Sequence, residues 1–235
     1  MGETQPQYPI LILDASSKRC FVGIKTNPEC LDYIASETEA SQSIFISVKE
    51  LLLRQSFGLS SIQSIIYCEG PGSMLGIRTV VMAIRAWKGA QIIPDAQIFC
   101  YDSLSLGSQL VETLPNAPAD YLLITDARRS SWNALDSSRL ANSHETEPSQ
   151  PLLSIIENAD LESIPGAIYT FPQFPSWTQT HVTLQKIDYH PESVFSKAIP
   201  QKISRLTDSP APLSLRPSEY KKWAPKFTTQ AASEQ

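Results

Sequence analysis

Gly70-Pro71-Gly72-Ser73-Met74-Leu75-Gly76-Ile77-Arg78 joins a short apolar run, Ile62–Cys68, to a segment with helical periodicity. Glycines and a proline packed this closely mark a tight strand-to-helix turn in which backbone approaches backbone. Glycines ahead of a helix N-terminus also serve to cradle phosphate, but the detailed pattern does not fit that use. A Walker A loop ends in Gly-Lys-Ser/Thr, whereas Gly76 is followed by Ile77-Arg78. The dinucleotide fingerprint needs a glycine three positions after Gly72, where Leu75 stands. Gly72 and Gly76 are therefore expected where a side chain is costly, through positive φ or close packing.

Working outward, a helix is expected from Ile77 to Gly89, with Ile77, Val81, Ile84 and Lys88 on one side, Ala83, Ala86 and Ala90 on another, and Trp87 between. A helix apolar nearly all round is buried on two sides or lies at an interface. Upstream, Ser41–Gln55 places Ile44, Phe45, Val48, Leu51 and Leu52 on one helical stripe, with Gly58 expected as its left-handed cap. Ile10–Leu13 (ending in Asp14), Cys20–Lys25 and Glu29–Ser36 read as strands of an antiparallel meander, with Asn27-Pro28 turning between the last two. Downstream, Ile98–Tyr101 reads as a strand, and Asp102 or Ser103 as the cap of a helix through Leu114. Pro115-Asn116-Ala117-Pro118 marks a boundary, after which the strand pattern restarts at Tyr121–Asp126 and continues through Trp132–Leu135. Residues 136–150 read as a mobile loop, 165–180 as irregular and Glu192–Leu206 as helix-like; no internal repeat is visible. The pattern is α/β and two-lobed, with lobes expected at 8–114 and 115–207 and the tail 208–235 packing back on the first.

Composition narrows the function classes. No stretch of the 235 residues approaches the roughly 20 consecutive apolar residues of a membrane helix. Cys20, Cys30, Cys68 and Cys100 lie far apart with no CxxC pair, which favours small buried hydrophobes over a disulfide framework or zinc site, and a reducing cytoplasm. A net charge of -5 argues against autonomous nucleic-acid binding. The basic residues of the tail (Lys202, Arg205, Arg216, Lys221, Lys222 and Lys226) read as solvated surface. His144, His181 and His190 have no i, i+4 partner, so no metal pair is expected, and Ser73 stands in Gly-Pro-Gly-Ser-Met instead of the Gly-x-Ser-x-Gly of a hydrolase nucleophile.

Three segments together resemble the TsaB (YeaZ) family, within the actin, sugar-kinase and Hsp70 fold superfamily. Ile10-Leu11-Ile12-Leu13-Asp14-Ala15-Ser16 is similar to the family's opening strand ending in Asp-Thr-Ser. The turn at Gly70, Gly72, Ser73, Gly76 and Arg78 is similar to its Gly-Pro-Gly-Ser-Phe-Thr-Gly-Leu-Arg. Asp126-Ala127-Arg128-Arg129, with Trp132 after it, resembles a second-lobe Asp-Ala-Arg-Arg run, and Leu215-Arg216-Pro217 the closing segment. Met74-Leu75 in place of Phe-Thr, Ala15 in place of Thr, and Ala40-Ser41 in place of His-Ser depart from the pattern.

The resemblance implies a two-lobed actin-like ATPase fold with a degenerate nucleotide site. Asp14 stands where active relatives place a phosphate- or metal-associated acid, but Ala15-Ser16-Ser17 follows where those enzymes need glycine. Of nine glycines only Gly166 lies beyond Gly107, so a second phosphate hairpin and an adenosine loop have no candidates. No catalytic residue, metal or cofactor is therefore expected for this chain alone, and no ATP hydrolysis. The implied role is a non-catalytic subunit supporting N6-threonylcarbamoyladenosine formation on tRNA. Its implied partners are a TsaD-like catalytic subunit and a TsaE-type ATPase, with tRNA reached only through the complex and a homodimer as the alternative assembly. The partner-facing residues are expected to be Ile44, Val48, Met74, Leu75, Ala83, Ala86 and Trp87. Asp126, Arg128 and Arg129 are expected to form an ion pair at a lobe hinge. The rival reading is a nucleotide-dependent sugar-kinase-like enzyme or a peptidase.

Overall fold

Strands that carry apolar residues at nearly every position build the centre of the molecule, whose computed structural model describes residues 5–142, 152–200 and 203–216. β1 (Ile10–Asp14), β2 (Cys20–Lys25) and β3 (Leu31–Ser36) form an antiparallel meander, and α1 (Ala40–Arg54) crosses to β4 (Ser64–Gly70). α2 (Met74–Gly89) then leads to β5 (Gln97–Asp102), with β1, β4 and β5 mutually parallel. β1 and β4 are buried at every position because both faces of this sheet are covered, which is why Ile10–Leu13 and Ile65–Cys68 are unbroken apolar runs and not alternations. Leu11 and Leu13 point into a core shared with α1 and α2. Ile10 and Ile12 point the other way, toward the second sheet.

After α3 (Ser103–Glu112) come β6 (Tyr121–Asp126), β7 (Ser131–Asp136), α4 (Ser137–Asn142), β8 (Leu153–Glu157), β9 (Ala167–Thr170), β10 (Gln185–Lys186), α5 (Pro191–Phe195) and β11 (Arg205–Leu206). The first sheet has the order β11-β5-β4-β1-β2-β3 and the second β10-β9-β6-β7-β8. Two mixed sheets thus make two lobes that share a plan: an antiparallel meander, then a strand added parallel to its first member. The repeat lives in the topology, not the sequence. Where α1 links β3 to β4, only a 3-10 segment, Asn158–Ser163, links β8 to β9. The outer face of the second sheet (Leu122, Ile124, Trp132, Ile168) is consequently covered by Leu161, Ile164, Val182 and Leu184 instead of by helices.

Several expectations need correction. Gly58 has an ordinary extended φ of -91°, and the left-handed residue that ends α1 is Ser56 (φ 58°). Phe57 N–H then reaches back to the Leu52 carbonyl, the six-to-one bond of a Schellman closure, and Gln91 and Ile92 end α2 the same way. Residues 136–150 contain α4, while 143–150 lie outside the described residues. The helix expected over Glu192–Leu206 is only the five residues of α5, and Arg205–Leu206 is instead an edge strand on β5. Of the basic tail residues, Lys202, Lys221, Lys222 and Lys226 lie outside the described residues, and Arg205, though exposed, also pairs with Glu69 through Nη2.

Asp102, not Ser103, caps α3, its carboxylate accepting the Ser105 N–H at 2.7 Å. Burial is the main cause that pushes this carboxyl up from 3.8 to about 6. A folded-state value above the unfolded one favours the fold fully only below the unfolded value, and that advantage is lost as pH rises through about 6. Asp102→Asn keeps a competent cap without the buried charge. It is expected to raise the stability at pH 7.5 by about 1 kcal/mol, and to have its smallest effect near pH 4. Thermal unfolding at the two pH values checks this, and an equal shift at both would refute it.

Candidate functional site

The glycine turn is fixed by contact with the loop after β1. Ser73 N–H donates to the Ser16 carbonyl at 2.6 Å, and Ser73 Oγ accepts the Gly76 N–H to cap α2. A Cβ on Gly72 would lie 2.2 Å from the Ser16 carbonyl oxygen, and one on Gly76 2.1 Å from that of Ala15. Both glycines are thus required by close packing, as expected from the turn, and Gly70 takes a left-handed φ of 112°. The N-terminus of α2 therefore meets carbonyl oxygens where an anion would need donors, so the turn does not fit a phosphate. Ser73 is taken up by capping, and no histidine is among its hydrogen-bond partners in the described residues.

Asp14 is 1% exposed and closed in by hydroxyls. Its Oδ1 accepts the Ser16 N–H (2.8 Å) and hydroxyl (2.7 Å), and its Oδ2 accepts the phenols of Tyr101 and Tyr189, each at 2.7 Å. Burial first, and then the charge of Asp14, hold both phenols well above the usual phenol range, so both stay protonated and donate. Tyr189 comes from the segment before α5, so Asp14 ties distant parts of the chain together. Where α5 meets the first sheet, Arg19 pairs with Glu192 at 2.6 Å, and at the end of β2 farther from Asp14 the buried amine of Lys25 donates to the Phe195 carbonyl at 2.9 Å. Tyr101, Tyr189 and Lys25 escaped the sequence reading, because nothing in their neighbours signals a partner so remote in the chain.

The pair of helices α1 and α2 carries most of the exposed large hydrophobics among the described residues. Phe45, Ile46, Leu53, Met74, Leu75 and Met82 are six of the ten large hydrophobics exposed among the described residues. A groove of about 290 Å³ lies beside them, lined by Phe45, Leu52, Leu53, Phe57 and Trp87. Met74, Leu75 and Ala86 of the expected partner face are exposed, as is Arg78. Ile44, Val48, Ala83 and Trp87 are corrected: they belong to the lobe's own core, with only the edges of Val48 and Trp87 reaching the groove. The reason is the rotation of α2. Gly76 is pressed on Ala15, so the residues one, two and three turns beyond it (Val80, Ala83 and Trp87) face inward, while Met74, Arg78, Met82 and Ala86 face out.

Asp126 does not pair with Arg128 or Arg129. Its Oδ1 accepts the Arg128 N–H (2.5 Å) and its Oδ2 those of Trp177 (2.6 Å) and Thr178 (2.5 Å), joining the β6–β7 turn to a distant loop. Arg128, Arg129 and Ser130 all have left-handed φ (62°, 51° and 56°). Each such non-glycine residue costs roughly 1 kcal/mol or more. The turn is held by Asn158 N–H on the Ser130 carbonyl and by Ser131 N–H on that of Arg128.

YeaZ from Pseudomonas aeruginosa superimposes with a TM-score of 0.55 over 80% of this chain and 89% of its own, at 15% identity. The chain has the YeaZ fold. An uncharacterized protein described by its similarity to peptidase YeaZ from Pseudomonas aeruginosa matches with a TM-score of 0.58 over 88% of this chain and 99% of its own, at 14% identity. No family model matches the sequence, and no curated protein matches it either. Within the YeaZ fold, the glycine turn, the Asp14 cluster and the α1–α2 face all belong to the first lobe and its contact with the second. Among the described residues no helix is long and apolar enough to cross a membrane, and no three His, Cys, Asp or Glu side chains form a metal-ligating group.

Proposed function

We propose that this chain is a non-catalytic cytoplasmic subunit in N6-threonylcarbamoyladenosine formation on tRNA, docking a TsaD-like catalytic subunit through the outer face of α1 and α2. The observation that carries the reading is that face: a YeaZ fold in which Met74, Leu75 and Met82 stand exposed beside Phe45, Ile46 and Leu53. Asp14 enclosed by two phenols, and an α2 N-terminus packed on carbonyls, support an assembly role over phosphate chemistry by this chain. In the partner's absence the same face serves to close on a second copy. The TsaE-type ATPase and the tRNA belong to the complex.

Ala86→Arg tests the face directly. Ala86 is exposed, so the variant should unfold within about 0.5 kcal/mol of the parent. A guanidinium forced into a dry contact should weaken co-elution with the TsaD-like protein of the same organism at least about 30-fold. A folded variant that still co-elutes at parental strength removes this face from the interface and with it the proposal.

A further inference from the structure

Away from the α1–α2 face, the left-handed turn at Arg128–Ser130 and the loop at Trp177–Gln179 bound an open cleft of about 470 Å³. The Arg128 guanidinium lies over the Trp177 ring, 4.5 Å from its centroid. Trp177 nevertheless keeps 61% of its surface exposed, so the ring remains open to a second planar partner. Arg129 borders the same cleft, and Arg216 reaches it by donating to the Arg128 carbonyl at 3.4 Å. Of the acids at this turn, Asp126 has both oxygens turned to backbone N–H groups of the two loops, and Glu157 accepts the Ser131 hydroxyl at 2.9 Å. Among the described residues neither Arg128 nor Arg129 enters an ion pair, which leaves their charge facing the cleft. Asn158 braces the arrangement, receiving the Trp132 indole N–H on its side chain and donating to the carbonyls of Ser130 and Gln179. A rigid, strained turn that aims two guanidiniums beside an exposed indole suits a ligand that is both flat and anionic.

We infer that this cleft binds a nucleotide unit, its base stacked on Trp177 and its phosphate on Arg128 and Arg129. The unit has two sources, an unpaired RNA strand or a free mononucleotide. The inference does not depend on the α1–α2 docking surface. Stacking and guanidinium–phosphate contact are the two sequence-independent means of holding unpaired nucleic acid. The net charge of -5 opposes a polyanion, so the affinity of the isolated chain is low, with a dissociation constant on the order of 0.1–1 mM.

The test uses the full chain with a labelled single-stranded oligoadenylate, followed by anisotropy at several salt concentrations. Trp177→Ala is expected to weaken binding roughly tenfold while leaving the salt slope unchanged. Arg128→Ala with Arg129→Ala is expected to flatten the slope of log affinity against log salt by about 0.7, the value for one single-strand phosphate contact. Displacement by adenosine monophosphate at millimolar concentration identifies the free nucleotide as the source, and resistance to it identifies the strand; either supports the site. Four results overturn it: no binding at low salt, equal binding of a duplex of the same length, full displacement by hexaglutamate at equal charge, or variants that fold and bind as the parent does. Thermal unfolding of each variant separates loss of binding from loss of fold.

Discussion

Gly76→Ala should lower the melting temperature by about 6–12 °C, as expected from about 3 kcal/mol lost in a chain of this size. Alanine in the first turn of a helix would ordinarily gain nearly 1 kcal/mol over glycine. Here the new methyl meets the Ala15 carbonyl oxygen at 2.1 Å and the Ala15 Cβ at 3.1 Å. The first of these is backbone, so no side-chain rotation relieves it, and α2 must separate from the end of β1. That movement loosens the inward set of α2, from Val80 to Trp87, which closes the core beneath α1. Gly89, at the other end of the same helix, supplies the control: nothing lies within 4 Å of its Cβ position. Gly89→Ala is expected to be neutral or slightly stabilising. Circular dichroism melts of the two variants decide the matter, and equal shifts would show that close approach at Gly76 is not what fixes the helix.

Asp14→Ala carries an expected loss of about 4 kcal/mol. The substitution strands two buried phenols and a hydroxyl that now donate to one carboxylate, and each unsatisfied buried group costs about 1–3 kcal/mol. Asp14→Asn should recover part of this, since its amide oxygen can still accept from Ser16. Tyr189→Phe removes one donor without stranding another and should cost about 1–2 kcal/mol. The comparison distinguishes two roles for one residue. An acid kept for binding a ligand is commonly neutral or stabilising to remove. A structural acid gives the ranking Ala worse than Asn, which urea titration measures directly, and a stabilised Ala variant would contradict the enclosed geometry.

Much of the first lobe was legible from residue patterns because its signals are local. The glycine turn announced close backbone contact, and the stripes of α1 and α2 announced helices, each within about a dozen residues. The faces of α2 were less legible, since Ala83 and Ala86 are chemically identical and only the contact of Gly76 with Ala15 distinguishes inside from outside. That clue was present in the spacing, as Val80, Ala83 and Trp87 fall one, two and three turns beyond Gly76. The second lobe resisted because the outer face of its sheet lacks helical cover, so no 3.6-residue period marks the stretch from Asn158 to Leu184. The partners of Asp14 and Asp126 were illegible for a different reason. Tyr189 is 175 positions from Asp14, and Trp177 is 51 from Asp126, and no local rule connects residues at such distances.

The shared layer between the sheets bears on how the chain comes apart. Ile10, Ile12, Phe21 and Phe99 of the first sheet pack in one cluster with Leu123, Leu135, Tyr169 and Phe171 of the second, and α3 and α5 complete it. Neither sheet can shed its partner without wetting that cluster, and opening it would also break the phenol bonds to Asp14. A jaw-like motion of two lobes about a hinge, the usual way a bilobal protein admits a ligand, would therefore cost nearly as much as global melting. The shared layer is expected to make the molecule a single block, suited to serve as a rigid template against which something else moves.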